Sequence, residues 1–173
     1  MTFNISIMLE KNDTHFASPP LLSWDIFMNG YHRRLALADD FNQLNKLSLA
    51  KKWIVEWDIE SMLFQQGKVI IVTDPLLRIV YSSNNVFDMN GYTPEEIKGK
   101  SPKIFQGPDT SIETLLKIRE AINNAKPIEV TLLNYKKNKQ PYYCHVEEYP
   151  VFNKNRELSH YIAFENLAAV PSS

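Results

Sequence analysis

Apolar positions change their period along the chain, and the change divides it. Beginning at Ser23, the residues Trp24, Phe27, Met28, Tyr31 and Leu35 recur at spacings of three, four and seven, which predicts one face of an amphipathic helix. Ser23 suits the N-cap, and Asp25 places negative charge in the first turn. Asp39 and Asp40 predict a second cap, after which Phe41, Leu44, Leu47, Ile54 and Trp57 mark a further helical stretch with Lys51 and Lys52 toward its end. Asp58 predicts one more short helix through Phe64, which Gly67 stops. These aromatic stripes have two readings at this level: packing on the molecule's own domain, or a seam between two copies.

At Lys68 the texture becomes that of strands. VIIVTD, ended by Asp74 and Pro75, and RIVYSS together predict a hairpin. Three helical words follow: NNVFDMNGY, then TPEEIKG with Thr93 as cap and Pro94 at the first helical position, then SIETLLKIREAINNAK. In the last of these, Ser111, Ile112, Leu115, Leu116, Ile118, Arg119 and Ile122 fall in helical period. The strands IEVTLLNYKK, PYYCHVEEYPVF and LSHYIAFENL close the chain, separated by the turn signals Asn138-Lys139 and Asn153-Lys154-Asn155. The order predicts an α+β fold: a five-stranded antiparallel sheet with short helices on one face, preceded by an N-terminal helical extension.

Composition narrows the functions. With 173 residues, 44 % of them hydrophobic and 12 % aromatic, the chain suffices for one core and an appended helical piece. A formal net charge of −1 gives no electrostatic case for nucleic acid or an anionic membrane as partner. The single cysteine, Cys144, excludes an internal disulfide and the usual zinc sites, which fits a cytoplasmic home. No stretch approaches eighteen apolar residues, and the N-terminus lacks the pattern of a signal peptide.

The words VIIVTD, NGYTPEEIKGK, IFQGPDT, KIREAI and LLNYKK, in this order and spacing from about Val69 to Leu167, resemble the PAS domain family and, within it, the light-oxygen-voltage (LOV) flavin photosensors. In LOV proteins the loop equivalent to GKSPKIFQGPDT carries Asn-Cys-Arg-Phe-Leu-Gln, whose cysteine bonds to the flavin under blue light. Here that stretch is Ser101, Pro102, Lys103, Ile104, Phe105, Gln106, so the cysteine position is Pro102 and the resemblance implies no photoadduct.

The same resemblance assigns a ligand pocket to Ser101, Pro102, Lys103, Gln106, Asn134, Cys144 and Glu165. Asn134 matches one of two family asparagines that bind the pyrimidine edge of flavin, and Gln106 a glutamine that helps hold the ribityl-phosphate chain. The second asparagine is Cys144, a weaker hydrogen-bonding group, and the glutamine near the ring on the last strand is Glu165. An ionised carboxylate can only accept, so Glu165 would face a flavin carbonyl acceptor to acceptor unless protonated. Losing two ring contacts at about 1 to 1.5 kcal/mol each weakens affinity about a hundredfold. On this ground no cofactor is expected, FMN or FAD being disfavoured.

Strand alternation puts Asn134 with Leu132 and Val130, Cys144 with Tyr142 and Val146, and Glu165 with Ala163 and Tyr161. Such a wall suits a small-ligand cavity, and the competing reading is a core filled by Tyr142, Tyr143, Phe105 and Phe164. Cys144 and His145 point to opposite faces and cannot share an ion, and Glu147 and Glu148 alternate likewise. Neither His145 nor His160 reads as a haem ligand, and no phosphate loop, nucleophile elbow or kinase signature indicates an enzyme.

These readings divide the chain into a leader (1–18), a helical extension (19–66), a PAS domain (67–168) and a tail (169–173). They suggest a stand-alone sensory or adaptor protein, homodimeric through Trp24, Phe27, Met28, Tyr31 and Leu35, acting on a separate protein in trans. A cysteine-less LOV relative that holds flavin noncovalently and a ligand-free dimerisation module are the alternatives.

Overall fold

The computed structural model describes residues 21–54 and 57–169. The leader 1–18 and the tail from Val170 onward lie outside the described residues. Five strands form one antiparallel sheet in the order β2-β1-β5-β4-β3: β1 (Val69–Thr73), β2 (Ile79–Ser82), β3 (Ile128–Tyr135), β4 (Pro141–Phe152) and β5 (Leu158–Leu167). β1 is buried on both faces, and its alternation splits the core in two. Val69 and Ile71 face an inner layer with Ile79, Val86, Met89, Ile97, Phe105 and Leu132. Ile70 and Val72 face an outer layer with Leu44, Trp53, Leu63, Val151, Ile162 and Phe164.

Short helices between β2 and β3 build the inner layer. α2 (Val86–Asn90) ends at Gly91, whose φ of 79° only glycine adopts without strain. α3 (Pro94–Ile97) opens with a capping box between Thr93 and Glu96. A 3₁₀ turn (Pro102–Phe105) follows, then α4 (Ile112–Asn123), capped by Ser111 Oγ accepting from the Thr114 amide at 3.3 Å.

The outer layer is made by α1 (Leu21–Lys51), one continuous helix where the sequence predicts two. Asp39 and Asp40 cap nothing. Asp40 is buried to 1 % exposure and accepts from the Asn84 amide (2.8 Å), Asn84 Nδ2 (3.0 Å) and Tyr81 Oη (3.1 Å), so a tertiary anchor replaces the predicted helix start. Ser23 lies inside the helix and not at its cap. After α1, Trp53 leaves the helix and bridges to Asn153. The predicted helix from Asp58 is a short piece with a π-helical turn at Ser61–Gln65.

The second half of α1 packs on the sheet through Leu44, with Leu37, Phe41 and Leu47 half-buried around it. The first half does not: Trp24, Phe27, Met28, Tyr31 and Leu35 are exposed, from 37 % to 65 %. No helix among the described residues is long and apolar enough to cross a membrane.

Candidate functional site

The inner face of the sheet does not close on itself. A cavity of about 510 Å³ lies between β1, β3, β4 and β5 on one side and α4 and the 3₁₀ turn on the other. Its size falls in the range of about 300 to 1,000 Å³ typical of small-molecule sites. Alternation makes its floor: Ile71 and Thr73, Leu132 and Asn134, Val146 and Glu148, and Tyr161, Ala163 and Glu165 are every second residue of their strands. Leu115, Ile118, Arg119 and Ile122, one face of α4, make the roof.

A filled core is therefore not what the structure holds. Tyr143 and Phe164 project from the opposite face of their strands, and Phe164 packs in the outer layer. Tyr142 and Phe105 are on the inner side: Tyr142 belongs to the packed part of that layer, beside the cavity, and Phe105 packs in the same layer while lining the cavity without filling it.

The loop containing the 3₁₀ turn forms the rim. Ser101 Oγ accepts from the Lys103 amide at 3.4 Å, Pro102 occupies the first helical position, and Ser101, Pro102, Lys103 and Gln106 all line the cavity. The QGPDT turn is fixed to β3. Gly107 N donates to Thr110 Oγ1 (3.0 Å), Thr110 Oγ1 donates to Leu133 O (2.7 Å), and Tyr135 Oη donates to Asp109 Oδ2 (2.6 Å). A Cβ at Gly107 would lie 2.3 Å from the Tyr135 ring, so this approach requires glycine.

Of the other residues singled out in the sequence, Asn134 and Glu165 are on the floor, whereas Cys144 is fully buried in the adjoining core and is not part of the lining. Its thiol donates to Glu165 Oε2 at 3.5 Å, and burial together with the neighbouring carboxyl pushes the thiol pKa up. The structure adds Thr73, Glu148 and Arg119 to the site. The signal for Arg119 was its place among the periodic apolar positions of α4, a cation on a face otherwise directed at the sheet.

Two features of the lining are unusual for a packed interior. Among the described residues, Asn134 Oδ1 and Thr73 Oγ1 are buried with no hydrogen-bond partner, and interiors seldom leave such atoms unsatisfied. Two carboxyls, Glu165 and Glu148, share the floor on neighbouring strands. Burial pushes Glu165 up to about 7, the Glu148 charge acting the same way, and burial alone pushes Glu148 up to about 7. Lys103 and Arg119 are exposed at the edge of the cavity, so a negative group there would meet two cations.

Residues 67–166 match the PAS domain family. Protein TWIN LOV 1 of Arabidopsis thaliana is 39 % identical over 87 residues, which are 49 % of this chain and 22 % of that protein. Phototropin-2 of Oryza sativa subsp. japonica is 32 % identical over 111 residues, 62 % of this chain and 12 % of that protein. The matches thus span about a fifth or less of these relatives. Among solved structures, a light-oxygen-voltage domain whose mechanism was probed with a flavin analogue superposes with a TM-score of 0.60 at 20 % identity, covering 66 % of this chain and 87 % of that one.

These relatives correct one expectation, that no cofactor is bound with flavin disfavoured: LOV relatives and a LOV domain studied with a flavin analogue point the other way. The fold, the order of its elements and the match over most of the sheet agree: the chain belongs to the PAS domain family, in its LOV-like group.

Proposed function

We propose that the chain is a sensory module of signal transduction that holds a flavin noncovalently in the inner cavity and acts on a separate protein without a cysteine adduct. The observation that carries this reading is an open cavity floored by buried polar side chains, among them Asn134, whose Oδ1 finds no hydrogen-bond partner among the described residues. An atom so placed loses about 1 to 3 kcal/mol unless a ligand satisfies it.

The residues present fit the group. Asn134 Oδ1 would accept from an imide N–H, Gln106 and Thr73 supply further polar contacts, and Lys103 and Arg119 would meet a phosphate at the rim. The apolar roof of α4 would exclude water from a flat ring. Glu165, protonated, donates as the family's amide would. A bound flavin supplies blue-light absorption and redox chemistry. Pro102 offers no nucleophile, and the Cys144 thiol is held protonated in the core, so the chain presents no thiolate to the cavity.

The same layout supports a division of roles in which the PAS domain (67–168) senses and the helical extension (19–66) carries the change outward. Phe164 and Glu165 are consecutive on β5, one under the helical layer and one in the cavity, so a shift in β5 reaches both. The exposed stripe Trp24, Phe27, Met28, Tyr31 and Leu35 would pair two copies. The test is the absorption spectrum of protein incubated with FMN and desalted. A structured blue band that stays with the protein supports the reading, and complete loss of flavin on desalting rejects it.

A further inference from the structure

Glu165 is 7 % exposed on the cavity floor, and the polar partner of its carboxyl is the Cys144 thiol, a weak donor. The groups that face it can be named element by element. β4 brings Tyr142, Cys144 and Glu148, and β5 brings Tyr161, whose hydroxyl donates to Ile122 O at 2.8 Å. α4 contributes Arg119 and the 3₁₀ turn Lys103, both exposed at the edge. β1 and β3 contribute Ile71, Thr73, Leu132 and Asn134, none of which titrates. Among the described residues no cation forms a salt bridge with Glu165, while a second carboxyl lies across from it on the next strand: Glu165 is opposite Val146, and Glu148 opposite Ala163.

The floor therefore offers one fixed acceptor, Asn134 Oδ1, and one group whose hydrogen-bonding sense depends on a proton. We infer that Glu165 determines specificity in the cavity: with its proton it donates to a carbonyl of a flavin-type ring, and ionised it turns that ligand away, so that capture of the ligand is coupled to one proton. This rests on the flavin reading given above and adds to it a regulation that an amide at the same position would lack.

The chemistry is one of acceptor and donor. A ring edge bearing N–H and C=O groups needs both an acceptor and a donor from the floor, and Asn134 on β3 with protonated Glu165 on β5 supplies both. Ionised, Glu165 would set a carboxylate against a carbonyl oxygen in a water-poor space, with Glu148 adding a like charge. With the carboxyl titrating at about 7, and capture restricted to the protonated form, the dissociation constant is divided by the protonated fraction. It rises about thirtyfold between about pH 5.5 and 8.5.

The experiment is a titration of the full chain with FMN, followed by flavin fluorescence, from pH 5.5 to 8.5, for the wild type and Glu165→Gln. The expected result is a roughly thirtyfold weakening in the wild type relative to Glu165→Gln, in which the amide always donates. Phosphate ionisation of FMN acts on both proteins and cancels in the ratio. Equal pH dependence in the two would overturn the inference and leave flavin binding intact. No binding by either at any pH would overturn both. Carbon-13 NMR of glutamate carboxyls in the ligand-free protein gives a second readout: a Glu165 signal, assigned by its loss in Glu165→Gln, that titrates in the ordinary carboxylate range also overturns it.

Discussion

Replacing Asp40 by alanine tests how α1 is held to the sheet. The Asp40 carboxylate accepts from Asn84 N, Asn84 Nδ2 and Tyr81 Oη, all within 3.1 Å, and these bonds join the middle of α1 to the end of β2. Burial raises the pKa of Asp40 and the hydrogen bonds from Asn84 and Tyr81 oppose that, so the site loses its favourable terms when the carboxylate goes. Three hydrogen bonds at about 1 kcal/mol net each give an expected loss of about 3 kcal/mol. Tyr81→Phe removes one side chain of the set and should cost about 1 kcal/mol. The double variant should cost less than the sum of the two, because the Tyr81 bond to the Asp40 carboxylate is lost in both single variants, whereas the bond from Tyr81 Oη to the Asp40 carbonyl (3.1 Å) survives Asp40→Ala. The assay is urea unfolding followed by tryptophan fluorescence, with Trp53 and Trp57 in the outer layer as reporters. A loss below about 1 kcal/mol for Asp40→Ala, or strict additivity in the double variant, would refute the anchoring role.

Other variants examine the rim, the floor and the exposed helix. Gly107→Ala forces a methyl group into the Tyr135 ring and should destabilise the protein by about 2 kcal/mol in urea unfolding; an unchanged midpoint would contradict the packing. Ligand-free protein should lose stability as pH rises, because Glu165 keeps a proton up to about 7 that the unfolded chain releases near 4.5. At about 1.36 kcal/mol per pH unit this is about 3 kcal/mol, present in full below pH 4.5 and gone above 7, and Glu165→Gln should remove it; parallel stability curves for the two proteins would refute it. Trp24→Glu or Phe27→Glu should convert a dimer to a monomer by light scattering, and a dimer surviving both changes would place the interface elsewhere.

The elements with local causes were legible in the sequence. Thr93-Pro94 with Glu96, and Ser111 before an apolar period, start α3 and α4 as their side-chain chemistry requires. The strand words and their turns led to the observed sheet. What was not legible depends on distant partners. Asp40 reads as a cap because aspartate favours caps, and only Tyr81 and Asn84, some forty residues later, make it a buried acceptor inside a helix. An open cavity was partly legible, since Phe164 and Glu165 as neighbours on a strand cannot fill the same space, and the same holds for Tyr143 and Cys144. In the sequence Glu148 reads as half of an unproductive pair with Glu147; the two do face apart, with Glu147 paired to Lys68 and Glu148 in the cavity. The upward shift of the Glu165 pKa follows from its burial, which no residue count reveals.

The most direct measurement of the flavin reading is the FMN affinity of Asn134→Ala beside the wild type, with the unfolding midpoint of each ligand-free protein. Asn134 Oδ1 has no hydrogen-bond partner among the described residues, so its removal should leave the ligand-free protein nearly as stable while weakening FMN binding about tenfold, the equivalent of one hydrogen bond. Unchanged affinity, or a fall in stability with no flavin bound by either protein, would contradict the assignment of this cavity to flavin.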